Sequence, residues 1–156
     1  MFHELRINAL TLLQERIRTL TQSLSLSSHR QTPPSEFQAL IHETAEQLEK
    51  AGQEALKRNN DEPWRQYVNL IAEKLRQTQT ASEHEYKRAA DLEADLTLLY
   101  QVLVQVGAKR LADADVMPVI RTVQTFGFHL AVLDIRQNSH FHELAVSQLL
   151  AAAGIE

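Results

Sequence analysis

Between residues 126 and 142 the hydrophobic pattern of this chain stops being helical. The segment reads Phe-Gly-Phe-His-Leu-Ala-Val-Leu-Asp-Ile-Arg-Gln-Asn-Ser-His-Phe-His. Its apolar run is interrupted only by His129 and Asp134, and it suits a strand that is buried on both faces, as in a parallel sheet. We therefore predict one strand over about residues 128–135, with Arg136 just beyond its end.

Elsewhere the apolar residues recur every three or four positions, which is the spacing of amphipathic helices. The pattern predicts long helices over residues 1–26 and 35–58, joined by a flexible loop over residues 27–34 that is rich in serine and proline. Further helices are predicted over about residues 61–78 and 88–106.

The carboxyl-terminal part continues this helical pattern on either side of the predicted strand. Residues 109–115 are expected to turn the chain into a short helix that ends at Gly127. Ser139 can cap a last helix, with Gly154 as its stop. The fold class is therefore mostly α, a single bundle-like unit over residues 1–156 with one strand.

The composition of the 156 residues is that of a soluble globular protein, with 44% hydrophobic and 23% charged residues. A net charge of −4 gives no general attraction to nucleic acid or to anionic membranes. The chain has no cysteine, which excludes disulfides and thiolate metal sites. No apolar run approaches the roughly 20 residues of a membrane helix. We expect a soluble cytoplasmic protein without nucleic-acid or membrane partners.

The stretch that follows the apolar run, Leu-Asp-Ile-Arg-Gln-Asn-Ser-His-Phe-His, resembles a signature segment of phosphoenolpyruvate carboxylase. The residues that match the family are Leu133, Asp134, Ile135, Arg136, Gln137, Ser139 and His142. The chain departs from the family at two positions, because Asn138 stands where glutamate is usual and Phe141 stands where arginine is usual.

A second segment, Glu62-Pro63-Trp64-Arg65, is similar to a Glu-Pro-Tyr-Arg helix of the same family. The resemblance is nearly continuous over residues 61–156.

The resemblance implies that the predicted strand belongs to a TIM-type α/β barrel in a full-length enzyme several times longer than this chain. That enzyme would be a lyase that fixes carbon dioxide, converting phosphoenolpyruvate and bicarbonate into oxaloacetate, a tricarboxylic acid cycle intermediate, and inorganic phosphate. It would use Mg²⁺ or Mn²⁺ and form a homo-oligomer, as the family tetramer does. The chain itself is expected to be an internal piece that is inactive alone, holds no metal and tends to pair through its exposed strand.

Arg136 is the candidate catalytic and substrate-binding residue, since a guanidinium offers a planar fork of donors to a phosphate. Gln137 is expected to bind substrate beside it, and Ser139 to face the same pocket. Asp134 is expected to orient Arg136, and His142, which matches a family histidine, to support the turn. Two structural alternatives stay open. Arg136 can simply pair with Asp134, which lies on the same face of a strand, and Ser139 can simply cap a helix.

Two further interpretations are weaker. His129, His140 and His142 suggest a metal site, but their spacing is wrong for a closed one. The alternative function is a non-catalytic helical interaction or scaffold module that keeps the architecture without the chemistry.

Overall fold

The structure, a computed structural model, describes residues 2–131 and 138–154. Within these ranges the secondary structure is helical and contains no strand, which confirms the mostly α prediction. The helices are α1 (Phe2–Ser23), α2 (Ser35–Gln47), α3 (Glu49–Lys57), α4 (Pro63–Thr80), α5 (Ala89–Gln105), α6 (Lys109–Leu111), α7 (Met117–Phe126) and α8 (Ser139–Ala152), with a π-helical turn at Ala112–Val116.

The core lies where α1 packs along α4 and reaches α7, with α2 and α3 against α4 and α5 against α7. The apolar stripe of α1, which Leu24 extends by one residue beyond the helix, faces this core, and none of its members is more than 2% exposed: Leu10, Leu13, Ile17, Leu20 and Leu24. Full burial of such a side chain is worth about 1.5–3 kcal/mol. Packing of the stripe, more than helix propensity, therefore stabilises α1.

Helix α4 begins at Pro63, where the missing N–H of proline costs no hydrogen bond. The side chains of Trp64 and Val68 are fully buried, and the ring of Phe37 lies edge-on to that of Tyr67 at 5.2 Å. This helix and α5 agree with the predicted helices over residues 61–78 and 88–106 to within about two residues at each end.

The predicted continuous helix over residues 35–58 is instead two helices, α2 and α3. Glu49 adopts a positive φ of 50° and turns the chain between them. The turn brings the backbone at Gly52 against Ala45 so closely that a Cβ on Gly52 would stand 2.1 Å from the carbonyl oxygen of Ala45. The apolar spacing runs on through the break, and so periodicity alone predicts one helix.

Residues 109–115 are helical rather than a simple turn. α6 leads through the π-helical turn into α7, and Pro118 is the second residue of α7. Proline cannot donate to the preceding turn, and its ring needs room there, which the wider π-helical turn supplies. The same turn keeps Ala112 and Val116 fully buried.

The strand predicted over residues 128–135 is not found in its described part. Gly127 ends α7 with a φ of 50°, and the amides of His129 and Leu130 both donate to the Phe126 carbonyl, at 3.2 and 2.9 Å. Residues 128–131 therefore form a turn and a bend. Residues 132–135 lie outside the described residues.

Helix α8 buries no side chain against the described part of the chain. Its large apolar side chains are 42–70% exposed: Phe141, Leu144, Val146, Leu149 and Leu150. None of the described helices is both long enough and apolar enough to cross a membrane.

Candidate functional site

The turn after α7, which leads to the segment that carries the predicted site residues, packs against α1. Phe128 is only 2% exposed, and the guanidinium of Arg6 lies 5.7 Å from the centre of its ring. This cation–π contact fixes the turn after α7 to the amino-terminal part of α1, and such contacts contribute about 0.5–2 kcal/mol. The last described residue before the segment is Ala131.

On the far side of the segment, the chain resumes at the cap of α8. The Asn138 side-chain oxygen accepts a hydrogen bond from the His140 amide at 3.1 Å, and the Asn138 carbonyl accepts one from Phe141 at 3.0 Å. Asn138, with extended backbone, is therefore the N-cap. Ser139, the predicted cap, is the first helical residue, and its hydroxyl lies 3.5 Å from the Asn138 oxygen.

The predicted site residues fall into two groups. Asp134, Arg136 and Gln137 lie outside the described residues, and their roles stay predictions. Ser139 and His142 lie exposed in the first turn of α8, three residues apart. Residues three apart share a helix face, so these two side chains lie on the same side of that turn.

The histidines are not gathered into a metal site. His140 and His142 both belong to α8, and side chains two residues apart on a helix diverge by about 200°. Across the two described ranges, no three histidine, aspartate or glutamate side chains are close enough together to bind a metal ion.

Sequence reasoning missed a polar network between α4 and α5. The Lys74 ammonium lies 2.8 Å from a carboxylate oxygen of Asp95, and the Tyr86 hydroxyl donates to the same oxygen at 2.7 Å. The ammonium also lies 4.3 Å from the centre of the Tyr86 ring, and the Tyr86 amide donates to the Thr78 hydroxyl at 2.9 Å. Burial, reinforced by the charge of Asp95, raises the pKa of Tyr86 well above its ordinary value.

The role of this network is structural, because it links α4, α5 and the loop between them. The Lys74 and Asp95 side chains are each 25% exposed, and a tyrosine held protonated offers a donor but no nucleophile or base. One sequence signal could have indicated it. Asp95 stands immediately before Leu96 in the apolar stripe of α5, at the edge of the buried face.

Comparison with known proteins gives one consistent result. The family model for phosphoenolpyruvate carboxylase matches residues 1–156. The chain is 36% identical over 148 residues to a phosphoenolpyruvate carboxylase of Mycolicibacterium paratuberculosis, covering 86% of the chain and 14% of that protein. It is 33% identical over 154 residues to the enzyme of Chromobacterium violaceum, covering 92% of the chain and 16% of that protein.

A third relative, the phosphoenolpyruvate carboxylase of Aromatoleum aromaticum, is 37% identical over 106 residues, covering 60% of the chain and 12% of that protein. The chain thus spans between 12% and 16% of the length of these three curated relatives.

Proposed function

Because this chain belongs to the phosphoenolpyruvate carboxylase family, we propose that it forms part of an enzyme that converts phosphoenolpyruvate and bicarbonate into oxaloacetate and inorganic phosphate. The family match over all 156 residues carries this proposal. The relatives it matches are far longer, and so the activity is assigned to the longer protein. The 156 residues alone are expected to be inactive.

Arg136 is the residue proposed to hold the substrate's phosphate. A guanidinium makes two parallel hydrogen bonds to phosphate oxygens and stays charged at any physiological pH. Asp134, two residues earlier, is proposed to orient that guanidinium, and the side-chain amide of Gln137 is proposed to add a donor. Support comes from the described cap of α8, because a helix amino terminus two residues after Arg136 favours anions.

The chemistry that Arg136 would serve is a phosphoryl transfer followed by a carboxylation. A bicarbonate oxygen attacks phosphorus, the bond from phosphorus to the enol oxygen breaks, and its electron pair stays on the enolate. The enolate carbon then takes the carboxyl group of carboxyphosphate, and inorganic phosphate leaves. Arg136 would position the phosphoryl group and stabilise its charge during the first transfer.

The Mg²⁺ or Mn²⁺ that the family resemblance implies does not fit the residues described for this chain, since they bring no three ligands of the required kind together. We therefore assign the metal to other parts of the longer protein and no step of the chemistry to a metal bound by this chain.

The exposed apolar side chains of α8 support a larger assembly. Five of them, each at least 42% exposed, would be covered by further parts of the longer polypeptide, for which we propose a TIM-type barrel. We further propose that the enzyme is cytoplasmic and forms a homo-oligomer, as the resemblance implies.

The test is Arg136→Ala in the full-length protein, with oxaloacetate formation measured in a coupled assay. Loss of a charged bidentate contact costs at least about 2 kcal/mol, so kcat/KM for phosphoenolpyruvate should fall by at least about 30-fold. Arg136→Lys keeps the charge without the fork and should recover only part of the loss. Arg121→Ala, on the exposed side of α7, is the matched control and should leave kcat/KM within about twofold.

Unchanged kinetics in the Arg136→Ala enzyme would show that this residue does not belong to the active site. A full-length wild-type protein that binds no phosphoenolpyruvate and forms no oxaloacetate would favour the non-catalytic interaction or scaffold module.

A further inference from the structure

A positively lined groove runs between α1 and α4 beside the end of α3. Its volume is about 290 Å³, near the lower end of the range for small-molecule sites. Three arginines line it, one from each element: Arg18 of α1, Arg58 after α3 and Arg76 of α4. None of the described residues in its lining carries a carboxylate; the other polar groups are amides and a hydroxyl.

Two of the arginines are each oriented by a glutamate and still have unused N–H hydrogen-bond donors. Glu15 accepts from Nε and Nη2 of Arg18 at 3.0 and 2.7 Å, and Glu73 accepts from the same two nitrogens of Arg76 at 2.9 and 2.6 Å. Each glutamate occupies one edge of its guanidinium, which leaves both N–H groups of Nη1 available. Orientation by a carboxylate reduces the rotamer entropy lost when a ligand binds.

Arg58 supplies a guanidinium that no described carboxylate contacts directly, although its charge adds to the hydrogen bond from Arg76 in lowering the pKa of Glu73. It is exposed at the end of α3, and no described residue lies within hydrogen-bonding or ion-pair distance of its side chain. The amide of Asn69 lies in the same lining, and the fully buried side chain of Ile17 forms part of the wall. A guanidinium beside an apolar surface and an amide suits a small organic ligand that carries an anionic group.

A neighbouring groove differs from this one in the net charge of its lining residues. Between α3 and α4, a second cavity shares Arg58 and Arg76 but is also lined by Glu54 and Glu73. Its charges balance, and so it has no electrostatic preference for an anion. On the α1 side the same arginines meet a third guanidinium, and three cations stand against the two glutamates that hold Arg18 and Arg76 from outside the lining, which leaves one positive charge in excess.

We propose that the groove between α1 and α4 binds a small phosphate ester, with Arg58 as its principal ligand and Arg18 and Arg76 as oriented partners. Guanidinium forks recognise phosphate better than a single carboxylate, because phosphate presents three oxygens and two charges. The proposal is independent of the function proposed for Arg136, since it rests on α1, α3 and α4 alone.

The experiment is a titration of the ¹⁵N-labelled chain with inorganic phosphate, followed on the arginine side-chain N–H signals at constant ionic strength. The signals of Arg18, Arg58 and Arg76 should shift together and saturate. Sulfate should also bind, whereas acetate, a single carboxylate, should shift them at least fivefold less at equal concentration. Shifts that never saturate, or that are equal for acetate and phosphate, would overturn the proposal.

Variants locate the binding. Arg58→Ala should weaken phosphate binding at least tenfold, and Arg58→Lys at least threefold, because lysine keeps the charge but loses the fork. Arg16→Ala removes an equal charge from α1 outside the groove lining and should leave binding within twofold. Since Arg58 is exposed and makes no side-chain contact that folding needs, circular dichroism should be unchanged.

Phosphate bound at Arg136 is distinguishable from phosphate bound in the groove. Arg136→Ala should leave the groove signals and their titration unchanged. Loss of binding in Arg136→Ala with retention in Arg58→Ala would overturn the groove site while supporting the proposed function.

Discussion

Gly52 is the position where the structure most directly opposes helix propensity. Glycine inside a helix is disfavoured by about 1 kcal/mol relative to alanine, so propensity alone predicts that Gly52→Ala stabilises the chain. The structure predicts the opposite, because a Cβ there would meet the Ala45 backbone at 2.1 Å from the oxygen, 2.7 Å from Cα and 2.8 Å from the carbonyl carbon.

The magnitude follows from the atoms that clash. Real Cβ contacts essentially never fall under 3.0 Å, so α3 has to move away from α2 by close to 1 Å. All three opposing atoms are backbone and cannot rotate away. Overpacking costs about 1–3 kcal/mol, and a clash with rigid backbone belongs at the upper end. Subtracting the propensity gain of about 1 kcal/mol leaves a net loss of about 2 kcal/mol.

The assay is urea unfolding followed by the fluorescence of Trp64, the single tryptophan, which is fully buried. The free energy of unfolding should fall by about 2 kcal/mol, with a drop of about 4–8 °C in Tm. Gly107→Ala is a matched control, because Gly107 has a φ of 80° and no atom within 4 Å of its Cβ position. It reports the cost of the left-handed backbone without a clash, about 1–2 kcal/mol.

A second control tests the identity of the clashing atoms. Ala45→Gly should not rescue Gly52→Ala, because the opposing atoms belong to the backbone and remain in the double variant. A Gly52→Ala protein that is as stable as the wild type, or more stable, would refute the close approach of α2 and α3.

Three further changes test other parts of the fold. The pKa of Tyr86 is raised in the folded state. The protonated hydroxyl therefore contributes fully to the free energy of unfolding below pH 10.0, the ordinary tyrosine pKa, and this contribution is lost as the pH rises above that value. Tyr86→Phe should flatten the fall in urea midpoint between about pH 10 and 11, and an unchanged slope would contradict the burial of this hydroxyl. Leu13→Ala should cost about 2–5 kcal/mol in urea unfolding, whereas Leu149→Ala, at a site 70% exposed, should change stability by less than about 0.5 kcal/mol. Asn138→Ala removes the cap of α8 and should speed amide exchange at His140 with little change in global stability; equal exchange rates would reassign the cap.

The helices that periodicity predicted well are those whose apolar stripe faces one continuous core. In α1 the spacing of Leu13, Ile17 and Leu20 reports burial directly, because all three are at most 2% exposed. The break inside residues 35–58 was not predicted because the apolar pattern continues through it. Leu48 is itself 3% exposed, so the stripe continues across the turn and gives no sign of the left-handed backbone at Glu49.

The cap of α8 shows a finer limit of prediction. Asn138 and Ser139 are both good N-cap residues and are adjacent, so residue type alone cannot choose between them. The choice depends on which side chain reaches an amide two residues ahead, and that is Asn138 reaching His140 at 3.1 Å. The groove arginines pose a different problem. Arg18, Arg58 and Arg76 are scattered in sequence, and only the packing of α1, α3 and α4 brings them to one cavity.

The segment after α7 depends on partners as well as on sequence. A strand buried on both faces needs neighbouring strands, and the other apolar stretches of this chain have helical periodicity. In the described part, the His129 and Leu130 amides are satisfied locally by the Phe126 carbonyl. Helix α8, beyond the segment, leaves apolar side chains such as Leu149 at 70% exposure, forgoing about 1.5–3 kcal/mol for each one left uncovered. The same longer protein that we propose to supply the chemistry around Arg136 would thus supply the apolar cover that α8 lacks.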